Sequence, residues 1–321
     1  MEYCQIKGLD AKVARIALGT GWFGLENEKV IFELLDAYVA TGGNVIDTGR
    51  FYNGGKAEIV ITKWLKERGN RDDLLLVNKA CHHYVDENNV QYPDKSRVGA
   101  DYITEDLEYS LKNMGVDHFD MYIMHRDNEE VPVEELMDRF EQHRLEGKIT
   151  TYGVSNWSVE RIKEANDYCI QKDYLGISIN SPSFTLADVK KPRWYRAVYV
   201  DADYVKKNNE MGITVMSWGA QGAGFFVPLW KDMNAEAPDD IKGAFFTEDN
   251  FKKLVRVEEV AKKRGVEPIN VALAYVLNDR FDVFASIGPR NKTELLSSLK
   301  AQDVHLNPEE IAYLELKSEN L

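Results

Sequence analysis

Eight short apolar runs, each followed by a longer amphipathic segment, limit the possible folds of this chain more than any other feature. The runs are RIALG (15–19), NVID (44–47), LLLVNK (74–79), FDMYIMH (119–125), TTYGVS (150–155), LGISIN (175–180), ITVMSW (213–218) and DVFASIG (282–288). They are nearly all apolar, as parallel strands covered on both faces must be. The amphipathic segments 29–40, 57–67, 103–114, 133–146, 159–170, 202–210 and 251–263 read as helices, and 269–277 and 292–299 flank the last run. Gly115 and Gly147 act as helix stops, and Asn307-Pro308 as a helix start. This alternation across 321 residues predicts an α/β protein, a single-domain (β/α)8 TIM barrel over 1–321. An open doubly wound sheet asks for G-x-G-x-x-G after its first strand, and Gly19, Gly21 and Gly24 lack that spacing. The longest irregular stretches are 81–101 and 219–247, both after strands.

Net charge argues against whole classes of partner. Forty basic residues against 53 acidic ones leave −13, and the basic residues are scattered. Neither nucleic acid nor an anionic membrane is an expected partner. No window of about 18 apolar residues suggests a spanning helix, and the N-terminus does not read as a signal peptide. Cys4, Cys81 and Cys169 are odd in number and lack metal-ligand spacing. A reduced, cytoplasmic protein is expected.

In a barrel the C-terminal strand ends meet at one mouth. Asp47 ends the second run and Tyr52 follows it. Lys79 ends the third, His125 the fourth, Ser155 and Asn156 the fifth, and Ser217 and Trp218 the seventh. A tyrosine is a weak acid at neutral pH, and a nearby ammonium is expected to lower its pKa. Asp47 would keep Lys79 charged, and His125 would hydrogen-bond a substrate oxygen. Together they make a proton donor aimed at a carbonyl that gains charge. No metal is expected: His82 and His83 are adjacent and should point apart, and no H-x-H or H-x-x-x-H occurs.

Over about 15–316, the segments LGTGWFG, NVIDTGRFYNGGKAE, LLLVNKA, YIMHRDN, GKITTYGVSNW, GITVMSW and SIGPRN resemble an aldo-keto reductase in order and spacing. HHYVD and NSPSFTLAD resemble its bacterial general oxidoreductase branch. The resemblance implies a nicotinamide cofactor, NADP(H), bound without a Rossmann fold. It implies a catalytic set of Asp47, Tyr52, Lys79 and His125, with Tyr52 as acid. Thr20, Gly21 and Trp22 would lie near the nicotinamide ribose with Asp47. Ser155 and Asn156 would bind the carboxamide. Ser181 stands for the usual Gln and Phe184 for the usual stacking Tyr. Ser217, Trp218, Gly219, Ala220 and Gln221 line the strand-seven loop, whose amides would reach the pyrophosphate. Gly288 allows close approach at a helix start, which favours anions. Arg290 suits a 2′-phosphate through its planar fork. Glu294 and Ser298 stand at adenine-side positions.

Trp22, Phe23, Tyr52, Trp157 and Trp230 are candidate substrate walls, with His125 and Arg126 beside them. The expected reaction is NADPH-dependent reduction of an aldehyde, ketone or keto-sugar to an alcohol. The expected protein is a monomer or small homo-oligomer. Two alternatives are a non-catalytic NADPH-binding regulatory subunit and a lyase using Lys79 as a Schiff-base nucleophile.

Overall fold

A computed structural model describes residues 1–86, 88, 90–230 and 232–321. The barrel strands are β1 (Ile16–Gly19), β2 (Val45–Asp47), β3 (Leu75–Ala80), β4 (Phe119–Met124), β5 (Ile149–Val154), β6 (Ile179–Asn180), β7 (Thr214–Trp218) and β8 (Val283–Ile287). They pair in parallel in chain order, and β8 closes on β1. The helices are α1 (Glu28–Ala40), α2 (Lys56–Arg68), α3 (Ala100–Met114), α4 (Val133–Leu145), α5 (Val159–Gln171), α6 (Ala202–Glu210), α7 (Asp239–Phe245), α8 (Glu248–Arg264), α9 (Pro268–Val276), α10 (Lys292–Leu299) and α11 (Pro308–Leu314).

The two-residue period of a strand sorts its side chains into two layers. Ala17, Val45, Leu75, Val77, Met121, Ile123, Ile179, Met216 and Phe284 form the interior cluster. Ile16, Leu18, Ile46, Leu76, Tyr122, Tyr152, Val215 and Ala285 belong to the larger cluster shared with the helices. An N-terminal hairpin, Tyr3–Cys4 with Val13–Ala14, adds Ile6, Leu9 and Val13 to the interior and closes the end away from the mouth. Two residues beyond the last inward position of each strand come Gly19, Asp47, Lys79, His125, Ser155, Ser181, Trp218 and Ser286. This periodicity puts them on one ring at the strand C-termini.

Some boundaries differ from expectation. β6 has two residues, not six, and α3 begins at Ala100. The stretch 219–247 contains α7, whose Pro238-Asp239-Asp240 start is a helix signal the sequence carried. The stretch 81–101 contains a short antiparallel pair, Tyr84–Val85 with Gln91–Tyr92. Among the described residues no helix is long and apolar enough to cross a membrane.

Candidate active site

Asp47 and Lys79 form a buried ion pair, Lys79 Nζ to Asp47 Oδ1. The second carboxylate oxygen accepts from Ser286 Oγ at 2.7 Å, and Lys79 Nζ also donates to the Thr48 carbonyl at 3.0 Å. Thr20 holds the Asp47 backbone, with its amide and Oγ1 each 3.0 Å from the Asp47 carbonyl. Gly19 makes room for this arrangement, since a Cβ there would sit 2.7 Å from Ser286 Oγ. Burial works against charge on Lys79, but Asp47 first and Tyr52 second outweigh it and hold its pKa above the usual lysine value.

Tyr52 opens a tight turn after β2. Asn53, Gly54 and Gly55 take left-handed φ values of 47°, 63° and 82°, which explains the two glycines. Asn53 Nδ2 ties the turn to the Phe23 carbonyl at 2.9 Å. Lys79 Nζ lies 4.8 Å from the centre of the Tyr52 ring, and the His125 ring lies 5.9 Å away, edge-on. Burial pushes the Tyr52 phenol up, and the Lys79 cation only partly opposes it. The expected lowering is therefore overturned by desolvation, and the phenol stays protonated at neutral pH. Burial, then Arg126, hold the His125 pKa well below its usual value, so its ring is neutral.

His82 and His83 do not point apart as expected. Their rings are 3.8 Å apart, and His82 lies 4.9 Å from His125. The preceding Cys81 has φ 61°, which breaks the strand's side-to-side alternation. Among the described residues no group of three His, Cys, Asp or Glu is arranged to hold a metal.

Other predicted residues divide by what their side chains already do. Ser155 Oγ donates to the Ser181 carbonyl at 2.5 Å. Asn156 is engaged at both ends: Nδ2 donates to His125 O and Ser155 Oγ, and Oδ1 accepts from Val198 N. Ser181 Oγ is buried on the ring with no hydrogen-bond partner among the described residues. Phe184 is 1% exposed and packs against Tyr275 and Phe281, so it offers no free face for stacking. Ser217 Oγ is turned outward onto the Phe184 backbone, away from the mouth. The part-exposed aromatic on the ring is instead Trp218, whose indole N–H donates to Ser181 O at 3.1 Å.

Beyond β7, Gly219 has φ 64° and Ala220 is buried. Gln221 Nε2 donates to Ser298 Oγ at 3.0 Å, tying this loop to α10. Gly288 and Arg290 are exposed. Glu294 accepts from Arg290 N and Asn291 Nδ2, so its carboxylate is part of the α10 cap. The Arg290 guanidinium lies 5.0 Å from the Trp22 ring, and Trp22 Nε1 donates to Pro289 O. Trp22 and Arg290 thus stand side by side. Gly21 is exposed and Thr20 buried.

Two expected substrate walls are core residues. Phe23 and Trp157 are fully buried, Trp157 beneath Arg161. Trp22, Tyr52, His125 and Arg126 keep partial exposure, and Trp230 rests on Phe246. Sequence reasoning missed Ser286, whose signal was its place two residues after inward-facing Phe284. It also missed Asp106 on α3, which accepts from Arg50, Arg97 and the Cys81 amide and so ties the loops after β2 and β3 together.

The comparisons agree with this architecture. The profile of the Aldo/keto reductase family matches residues 15–319. The chain is 25% identical over 314 residues to the uncharacterized oxidoreductase YrpG of Bacillus subtilis (strain 168), covering 96% of this chain and 93% of that one. It is 27% identical over 308 residues to a probable aryl-alcohol dehydrogenase, AAD4, of Saccharomyces cerevisiae, covering 91% and 88%. A thermostable aldo-keto reductase, Tm1743, solved with the inhibitor epalrestat, superposes with a TM-score of 0.74 at 23% identity, covering 99% of this chain and 100% of that one. The (β/α)8 barrel and a family match across nearly its whole length make this chain a member of the aldo/keto reductase family of oxidoreductases.

Proposed function

We propose that the protein is an NADPH-dependent carbonyl reductase in which Tyr52 is the general acid. The observation that carries this reading is the convergence of Asp47, Lys79, Tyr52 and His125 at one mouth. Features of the chain fit a nicotinamide dinucleotide. Ser181 Oγ is a buried hydroxyl without a partner among the described residues. Trp218 beside it stays part-exposed although Trp194 and Tyr199 pack edge-on against it, and we assign stacking there rather than to the enclosed Phe184. Arg290 has no ion-pair partner among the described residues and suits a 2′-phosphate, which favours NADPH over NADH.

A nicotinamide, when bound, would supply hydride to the carbonyl carbon. As the carbonyl oxygen gains charge, neutral His125 donates a hydrogen bond to it and Tyr52 transfers its phenolic proton to it. Lys79 stabilises the phenolate left behind, and Asp47 with Ser286 holds Lys79 in place. Hydride plus proton complete a two-electron reduction to the alcohol. A lysine held charged is a poor Schiff-base nucleophile, which counts against the lyase.

The test is loss of NADPH absorbance with a panel of aldehydes, ketones and keto-sugars. Tight NADPH binding with no turnover on any of them would favour the regulatory-subunit reading. The acidic charge and three free cysteines favour a cytoplasmic protein, and we read it as one domain over 1–321, a monomer or small homo-oligomer acting on a small-molecule carbonyl.

A further inference from the structure

The turn that presents Tyr52 keeps a side chain at a position that suits glycine. Asn53, Gly54 and Gly55 all take left-handed φ values, 47°, 63° and 82°. Glycine adopts such values freely, and two of the three residues are glycine. The first is asparagine, which tolerates them better than most residues but not without cost. A side chain kept at a strained backbone position points to a contact that needs it. Here Nδ2 donates to the Phe23 carbonyl at 2.9 Å.

Phe23 is a fixed anchor for that bond. Its side chain is fully buried, and its amide donates to the Thr20 carbonyl at 2.9 Å. Thr20 in turn donates through its amide and Oγ1 to the Asp47 carbonyl. A chain of contacts thus leaves Asp47, passes through Thr20, Phe23 and Asn53, and returns to Tyr52. On the other flank of the same loop, Arg50 pairs with Asp106. The Lys56 amide, at the start of α2, donates to the Tyr52 and Asn53 carbonyls, so the turn is continuous with the helix. Asn53 supplies a side-chain hydrogen bond that holds the turn to the loop after β1. A reacting group must be held to a fraction of an ångström, and a residue adjoining Tyr52 bears on that directly.

Resting on the reductase reading above, we propose that Asn53 is a positioning residue for the reduction: its bond to the Phe23 carbonyl sets where Tyr52 presents its phenol. Asn53 transfers no proton and acts through Tyr52.

The experiment is a double-mutant cycle over Asn53→Gly, Tyr52→Phe and the pair, read as single-turnover NADPH oxidation with an aldehyde that the wild type reduces. Asn53→Gly keeps the left-handed backbone and removes the bond, so its melting temperature should stay close to that of the wild type. Its rate should fall by about tenfold or more, with NADPH affinity within about twofold of the wild type. In the Tyr52→Phe background the same change should cost less than about twofold, because the group it positions is gone. Asn53→Asp keeps the size and the tolerance of left-handed φ but sets an acceptor against the Phe23 carbonyl, and should lose as much as Asn53→Gly. An unchanged rate in either Asn53 variant, an equal loss in both backgrounds, or an NADPH affinity that falls in step with the rate would overturn the proposal. Tyr52→Phe as fast as the wild type would bring down the acid role of Tyr52 and this proposal with it. A slow Tyr52→Phe beside a fast Asn53→Gly would bring down this proposal alone.

Discussion

Lys79 is a charge the fold takes out of water and then holds with one carboxylate. Removing one partner of a buried ion pair typically costs about 3–5 kcal/mol, because the other is left uncompensated. Asp47→Asn should therefore lower stability by roughly that amount in urea unfolding, and lower turnover with it. A loss below about 1 kcal/mol would mean that the Thr48 carbonyl, with the remaining amide, suffices for Lys79. His82 makes a separate prediction about pH. Its native pKa is about 3, with burial as the main cause, against an ordinary value of 6.5. Between those values the unfolded chain holds the extra proton, so stability rises with pH and is lost as pH falls from about 6.5 toward about 3. His82→Gln should flatten that part of a plot of urea midpoint against pH. An unchanged slope would place the acid sensitivity elsewhere, His125 being the next candidate.

At the scale of elements, α3 ties together the loop after β2, which carries Tyr52, and the loop after β3. Fully buried Asp106 accepts from Arg50 in the loop after β2, and from Arg97 and the Cys81 amide after β3. Asp106→Asn should cost about 3 kcal/mol and reduce turnover, since Tyr52 lies two residues from Arg50. Thermal unfolding with steady-state kinetics checks both, and full activity in a destabilised variant would separate the clamp from the site. Most of the elements were legible because apolar runs and amphipathic segments alternate cleanly. What sequence reading lost were pieces defined by tertiary contacts. Arg50, Arg97 and Asp106 are far apart in sequence, and no local pattern links them. The two-residue β6 is set by its pairing with β5 and β7, not by propensity. Gly153 marks that junction, where a Cβ would meet the Ile179 carbonyl at 2.3 Å.

For the whole molecule, the site was legible where residues act through position on the barrel. Asp47, Lys79 and His125 follow inward-facing strand residues, so their convergence follows from the period of two. It was less legible where a role needs a free surface, because burial is a property of the finished fold. Phe23, Trp157 and Phe184 are aromatics near strand ends, yet all three are enclosed. The proposed preference for NADPH rests on contacts across elements, between Arg290 before α10 and Trp22 after β1. Arg290→Ala should raise the NADPH dissociation constant more than that of NADH, measured by fluorescence quenching; equal weakening would mean that Arg290 does not read the 2′-phosphate. The central claim is that one phenol protonates the carbonyl. The most direct measurement is the turnover of Tyr52→Phe with saturating NADPH and an aldehyde that the wild type reduces, alongside its NADPH affinity. A fall of about 100-fold or more in kcat with near-normal NADPH binding is the expected result; turnover equal to the wild type would contradict it.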